Sequence, residues 1–266
     1  MQTMSPKSIE FSKYQGAGND FIMLDNRDKR YSNLTTEEIA FMCNRHFGIG
    51  ADGLITINKS CHYDFKMRYY NSDGKEGSMC GNGGRCVVMF AHHLEIIQDR
   101  TIFDAFDGVH EATVLNEDSI RLKMQDCLFP EKIDKTSYKI DTGSPHIVVF
   151  VKDVYKIDVL KQGKTLRYNN DIFENGANVN FCHIENNKVN IRTYERGVEN
   201  ETLACGTGSV AAAICVNYTN MLHLNKIKIN ALGGTLEVEF SKMDKYSNIF
   251  LSGLAEKTFE GMIELI

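Results

Sequence analysis

The sequence predicts an α+β chain of two pseudo-symmetric domains, each a curled, mostly antiparallel sheet around a central helix. Three observations carry this expectation. A cysteine followed at once by a glycine-rich turn occurs twice, in "MCGNGGRC" at residues 79–86 and "ACGTGS" at residues 204–209, with Cys80 and Cys205 standing 125 positions apart. Many short alternating segments of strand length, bounded by turn residues, lie before and after each turn. Behind the turns run helical stretches, and the second, "VAAAICV", is apolar on nearly every face and must be enclosed on all sides.

Residues 9–25 offer two strands, "FSKYQ" and "DFIMLD", around the turn "GAGN". A helix is predicted from Thr35, whose "TTEE" is a capping-box signal, to about His46. The strands "LITIN" and "DFKMRYYN" lead into the first cysteine turn, and behind it Val87, Phe90, Ala91 and Leu94 recur at helical spacing. Strands "TIFDAF", "HEATVL" and "SIRLKM" complete this half. The second half replays the order. "GSPHIVVFV" echoes "GNDFIMLD", with Asn19 opposite Ser144. "VNIRTYERGVENETLACGTG" echoes "FKMRYYNSDGKEGSMCGNG", with Tyr70 answering Tyr194. "INALGGTLEVEF" follows "FDAFDGVHEATV" at a constant shift of 126. A period of domain length implies two similar domains rather than a solenoid. The boundary is expected around "CLFPE", with residues 1–126 joined by 258–266 as one domain and residues 127–257 as the other.

Apolar residues at 42% and charged residues at 24% describe a globular chain with material for a real core. A net charge of −5 without a basic run gives no support for nucleic-acid binding, and no nucleic-acid partner is expected. The start, "MQTMSPKSIEF", has no signal-peptide stretch and no apolar run is long enough for a membrane span, so a cytoplasmic location is expected. Cys43, Cys61, Cys86, Cys127, Cys182 and Cys215 form no CxxC pair or zinc quartet and are expected as buried small hydrophobes. "GIGADG" at residues 48–53 fits a dinucleotide-binding pattern, but it follows a helix and precedes a strand, the reverse of the required order. His92 and His93, near a helix end, are expected on the solvated surface.

A helix N-terminus presents unpaired N–H groups and about half a positive charge, a ready anion site. Gly81, Gly83, Gly84, Gly206 and Gly208 let a bound group approach the backbone closely. A cysteine placed there has its thiolate favoured and becomes a usable base or nucleophile. One such turn could equally be a phosphate cradle or a tight bend. Two related by duplication would set two thiols symmetrically on whatever cleft the halves form, which suits inversion of a stereocentre. One sulfur takes a proton and the other returns one to the opposite face. The α-hydrogen of an amino acid is very weakly acidic, so the carbanion would need the helix N-termini for electrostatic support. No pyridoxal-phosphate lysine or metal cluster is evident, so the thiols would act with no cofactor.

From "GAGNDF" through "NRHFGIGADG", "YYNSDGKEGSMCGNGGRC", "GSPH", "YERG" and "ACGTGS" to Gly233 and Gly234, the sequence resembles the diaminopimelate epimerase family. The resemblance runs nearly end to end. It implies cofactor-independent interconversion of LL- and meso-diaminopimelate, in lysine and peptidoglycan precursor biosynthesis, with Cys80 and Cys205 as the acid–base pair. It further implies that Gly81, Asn82, Gly206 and Thr207 bind the α-carboxylate, and that Arg196 clamps the distal carboxylate, a task suited to a planar guanidinium. Asn19, Asn71, Ser144 and Asn178 would hydrogen-bond at the distal end. Glu195 would meet a substrate ammonium and, with His146, tune the thiols. Homodimer assembly is part of the same expectation. Two departures touch the distal end: some relatives carry Asn where this chain has Ser144, and Gln where it has Gly53. "RGVENETLAC" is also one residue longer than in many versions.

The nearest rival is a two-cysteine racemase of the proline racemase or hydroxyproline epimerase kind. Those resemble "MCGHG" at the first turn and "DRSP" before the second, where this chain reads "MCGNG" and "NETLA". A related isomerase group lacks the cysteine pair. A thiol redox sensor or an amino-acid-binding module is the non-enzymatic reading; neither would exchange a substrate α-proton with solvent.

Overall fold

The computed structural model describes residues 7–77 and 79–265. The chain divides into two compact units, one running to Ile120 and resuming at Leu254, the other Arg121–Gly253. In the first unit, Lys7–Gly16 pairs antiparallel with both Asn19–Asp25 and Glu256–Leu265. Asn19–Asp25 runs parallel to Gly53–Asn58, which pairs antiparallel with Phe65–Asn71. Phe65–Asn71 lies parallel to Arg100–Ala105, the first arm of a hairpin with Gly108–Asn116.

The second unit repeats this order. Ser137–Asp141 pairs antiparallel with Pro145–Phe150, which runs parallel to Asn178–Glu185. Lys188–Glu195 pairs antiparallel with Asn178–Glu185 and parallel to Lys226–Ala231, which forms a hairpin with Gly234–Lys242. Each sheet is thus mostly antiparallel, with parallel pairing at the same two places. Even the register is repeated: Phe21 lies opposite Gly53, and His146 opposite Asn178, both shifted by 125.

Four α-helices are described: α1 (Thr36–Cys43), α2 (Gly81–His93), α3 (Val159–Arg167) and α4 (Gly206–Tyr218). The capping box at Thr35 forms as predicted, with the Thr35 hydroxyl accepting from the Glu38 N–H and the Glu38 carboxylate accepting from the Thr35 N–H. α1 ends before His46, however. Asn44 turns extended and its Oδ1 takes the N–H groups of His46 and Phe47, which diverts them from the helix.

Strand alternation explains where the central helices sit. Ile22, Leu24 and Leu54 point to one face and pack with Ile39 and Met42 of α1. Phe21 and Ile55 point to the other, where a Cβ on Gly83 of α2 would come within 3.5 Å and 3.1 Å of them. In the second unit Val179, Phe181 and Tyr194 pack with Val159 of α3, while Asn180 faces Gly208 of α4. Every residue of α2 from Gly81 to Ala91 is buried, as is α4 from Gly208 to Val216. Leu94 caps α2 rather than extending it.

One surface expectation needs correction. Cys61 is exposed, in the loop between Gly53–Asn58 and Phe65–Asn71, whereas the other five cysteines outside the turns are buried. His93 is exposed, but its Nδ1 is engaged by the Tyr14 hydroxyl at 2.6 Å. No helix among the described residues is long and apolar enough to cross a membrane.

Candidate active site

Both turn cysteines are helix N-caps. Cys80 is extended (φ −100°, ψ 147°) immediately before α2, and its sulfur accepts the Gly83 N–H at 3.2 Å. This is the capping geometry that satisfies an orphan donor and places the sulfur in the positive end of the helix. Glycine at position 83 keeps this close, since a Cβ there would stand 3.3 Å from the sulfur. The Cys80 thiol donates to Asn19 Oδ1 at 3.8 Å, and Asn82 Nδ2 donates to the same oxygen at 3.4 Å. Asn19 Nδ2 donates to the Asp52 carboxylate at 2.6 Å, which fixes the amide so that its oxygen faces Cys80. Arg85, fully buried on α2, donates to Asn82 Oδ1 at 2.9 Å and to the Gly81 carbonyl at 3.1 Å. Asn19, Cys80, Gly81 and Asn82 therefore form one group. Asn71 lies two strands from Asn19, at the same end of the strands, opposite Gly53.

Cys205 is likewise extended (φ −120°, ψ 117°) before α4, but no backbone N–H caps onto its side chain. Its sulfur lies 3.5 Å from Thr207 Oγ1, and His146 Nε2 lies 2.9 Å from that same hydroxyl. The direction of this chain is set by Asn180. Its Nδ2 faces the Ile147 carbonyl at 3.3 Å, an acceptor, so the nitrogen rather than the oxygen points that way and toward His146 Nδ1 at 3.0 Å. Asn180 Oδ1 accepts from Thr193 Oγ1 at 3.0 Å. His146 Nδ1 consequently accepts, its proton sits on Nε2, and Nε2–H donates to Thr207. The Thr207 hydroxyl hydrogen is left for Cys205. His146 is fully buried, and burial together with the charge of Arg196 lowers its imidazole to about 3, so it stays neutral at ordinary pH. It reaches Cys205 only through Thr207.

Ser144, Asn178 and Arg196 form a neighbouring group. Asn178 Nδ2 donates to Ser144 Oγ at 2.9 Å and to the Pro145 carbonyl at 3.3 Å, while its Oδ1 accepts the Arg196 backbone N–H at 2.8 Å. Arg196 is half-buried, and its charge acts on the His146 imidazole. Glu195 accepts from Thr202 Oγ1 at 2.9 Å. Gly206 is buried at the start of α4, and the Thr207 carbonyl is anchored by Thr142 Oγ1 at 3.0 Å.

A family model described as diaminopimelate epimerase matches residues 11–127 and 138–258. The chain is 47% identical over 257 residues to a diaminopimelate epimerase of Flavobacterium psychrophilum, covering 96% of this chain and 100% of that one. It is 43% identical to one from Chlorobaculum tepidum, covering 94% of this chain and 99% of that one. The chain belongs to the diaminopimelate epimerase family. The family is one of isomerases, and the chain is an enzyme. Among solved structures, a hydroxyproline epimerase from Agrobacterium vitis superposes with a TM-score of 0.71 at 12% identity, over 97% of this chain and 93% of that one. A PhzF-family phenazine biosynthesis protein of Bacillus anthracis gives 0.70 at 16% identity, over 98% and 99%. At such identities these share the fold.

Both departures from the family pattern have local explanations. A Cβ at Gly53 would stand 2.6 Å from both Tyr69 Cε2 and the Tyr70 carbonyl oxygen, so Tyr69 occupies the space a longer side chain would need. Ser144 places its hydroxyl on Asn178. Sequence reasoning missed Asn180 and Arg85. The available signals were an amide alternating with Val179 and Phe181 in a strand, and a lone charge inside an enclosed helix.

Proposed function

We propose that the chain interconverts LL- and meso-diaminopimelate by exchanging the α-proton between the sulfurs of Cys80 and Cys205, with no cofactor. One sulfur, as thiolate, takes the α-hydrogen, and the C–H electron pair stays on the substrate as a carbanion delocalised into its carboxylate. The other sulfur, as thiol, gives its proton to the opposite face, and the two sulfurs have exchanged protonation states. The backbone N–H groups at Gly81, Asn82, Gly206 and Thr207 hold the α-carboxylate, where the helix N-termini oppose the growing charge. Arg196 takes the distal carboxylate, with Asn19, Asn71, Ser144 and Asn178 completing that end and Glu195 meeting an ammonium. Cytoplasmic location and a homodimeric state belong to the same reading.

The observation that carries it is that both cysteines are helix N-caps, each with its own chain of polar side chains reaching the sulfur. In D2O, LL-diaminopimelate should yield the meso form with deuterium at an α-carbon. With thiols shown to be reduced, absence of both epimerisation and exchange refutes the reading. Turnover of proline or hydroxyproline instead would favour the racemase alternative.

A further inference from the structure

The two cysteine supports are not copies of one another. At the constant shift of 125, Phe21 and Ile55 beside α2 correspond to His146 and Asn180 beside α4, and Asn82 and Arg85 correspond to Thr207 and Val210. The polar chain behind Cys205 comes from the sheet and is neutral. Beside Cys80 the positions matching His146 and Asn180 are apolar; Asn19 at the strand end reaches the sulfur, and the helix adds a charged group, Arg85, through Asn82.

That charge is unusual in its surroundings. Arg85 is fully buried, its Nε has no hydrogen-bond partner, and it pairs with no carboxylate among the described residues. A guanidinium does not give up its proton in a protein, and a buried cation without a counter-charge is strongly unfavourable. The groups close enough to act on it electrostatically are the thiols of Cys80 and Cys86. Cys86 is fully enclosed, and burial drives its thiol far up, so it stays protonated. Cys80 is half-buried and already holds the Gly83 N–H. It is the sulfur on which a negative charge can sit.

We propose that Arg85 is a positioning residue for Cys80, orienting Asn82 and supplying the buried positive charge that makes Cys80 the more readily ionised of the two turn cysteines. Because a guanidinium only donates, it fixes Asn82 with Oδ1 toward itself and Nδ2 toward Asn19. Its catalytic consequence rests on the proton-exchange reading above; the ionisation of Cys80 does not.

Other titratable groups around α2 are hydrogen-bonded or paired. Asp20 is burdened by burial, but hydrogen bonds from Arg45 and Lys13 hold its carboxyl down to about 2. Asp107, in the hairpin packed on α2, contacts His110 at 3.2 Å and accepts the Met79 N–H, so its carboxylate is a charge near Cys80 that works against the thiolate. On Lys7–Gly16, burial raises the Tyr14 hydroxyl and keeps it neutral. On Glu256–Leu265, Lys257 pairs with Glu260. Asn19 Oδ1 favours the thiol form of Cys80, through a long contact to a neutral group.

The test is the pH dependence of iodoacetamide alkylation at each cysteine, read by peptide mass spectrometry on the full-length protein. In the unmodified protein the Cys80 midpoint should lie below the Cys205 midpoint; equal or inverted midpoints overturn the proposal. In Arg85→Met the Cys80 midpoint should rise by about one unit, about a tenfold loss of rate below the midpoint, with Cys205 unmoved. Arg85→Lys, which keeps the charge, should restore most of that shift. A folded Arg85→Met with an unmoved Cys80 midpoint, or an Arg85→Lys shifted equally, leaves Arg85 a structural residue. If Arg85→Met does not fold, a wild-type Cys80 midpoint at or above that of Cys205 still overturns the proposal, and Arg85→Lys reports on the charge.

Discussion

Asn180→Ala would remove the side chain that directs the chain ending at Cys205. Asn180 is fully buried, and its amide serves His146 Nδ1 at 3.0 Å and Thr193 Oγ1 at 3.0 Å. Each buried polar atom left unpaired costs about 1–3 kcal/mol, so with two such atoms the variant should lose about 2–6 kcal/mol of stability. The second effect is on proton placement. With Nδ1 released, the imidazole can carry its proton there, and Nε2 becomes an acceptor that draws the Thr207 hydroxyl hydrogen away from Cys205. A hydrogen bond to a charged group contributes about 1.5–3 kcal/mol at good geometry. The 3.5 Å contact from Thr207 to the sulfur is long, so about 1 kcal/mol is a fair share, or about a fivefold change in thiolate population. Alkylation of Cys205 below its midpoint should therefore slow about fivefold, with Cys80 unchanged, while urea unfolding reports the stability loss. A folded Asn180→Ala whose Cys205 rate matches the parent protein would show that the His146–Thr207 chain does not govern that thiol.

Three further outcomes are expected. Gly53→Ala sets a Cβ 2.6 Å from the Tyr70 carbonyl oxygen, backbone that cannot step aside, and should lower stability by about 1–3 kcal/mol; an unchanged denaturation midpoint would contradict the packing described. Folding lowers the His146 pKa to about 3, so the unfolded chain gains a proton on acidification before the folded one does, and stability present above pH 6.5 is lost as pH falls toward 3. That loss should reach about 2 kcal/mol between pH 8 and 5, and His146→Gln should flatten it; an equally steep His146→Gln profile would assign the slope elsewhere. In Arg85→Met, the acid limb of the activity–pH profile should move up by about one unit while the alkaline limb stays, and movement of the alkaline limb alone would reverse the assignment of the two cysteines.

What could be read from the sequence was whatever is encoded locally or repeated. The capping box at Thr35 is a four-residue signal and forms as read. Its helix ends early because Asn44 competes for two backbone donors, a preference no apolar spacing reveals. The cysteine turns were legible because glycine is needed where backbone and sulfur meet, and the echo at residue 205 removed the ambiguity of a single turn. α3 was not read, since Val159 and Gly163 are its buried positions and give no apolar stripe. Gly163 is there because a Cβ would stand 2.5 Å from Tyr194 Cβ, a tertiary requirement. Asn180 and Arg85 were hidden for a related reason. Each is a polar residue in a stretch whose pattern says core, and their partners, His146 and Asn82, are identified only once the chain is folded.

Divergence between the two supports fits what the proposed two-sulfur proton exchange would demand. In the proposed reaction the enzyme would hold one proton on two sulfurs, in a pH range bounded by the first and second ionisations of the pair. If both thiols had identical surroundings, that range would depend on their mutual repulsion alone. Unequal surroundings widen it, because the more acidic sulfur ionises earlier while the other keeps its proton longer. A buried cation on α2 and a neutral imidazole beside α4 provide such inequality while leaving both sulfurs at helix N-termini. Arg85 stands where the other half has Val210, and Asn180 where the other half has Ile55, so each copy supports its sulfur by different means. A chain that had kept the two halves alike would lose activity from both ends of the pH range at once.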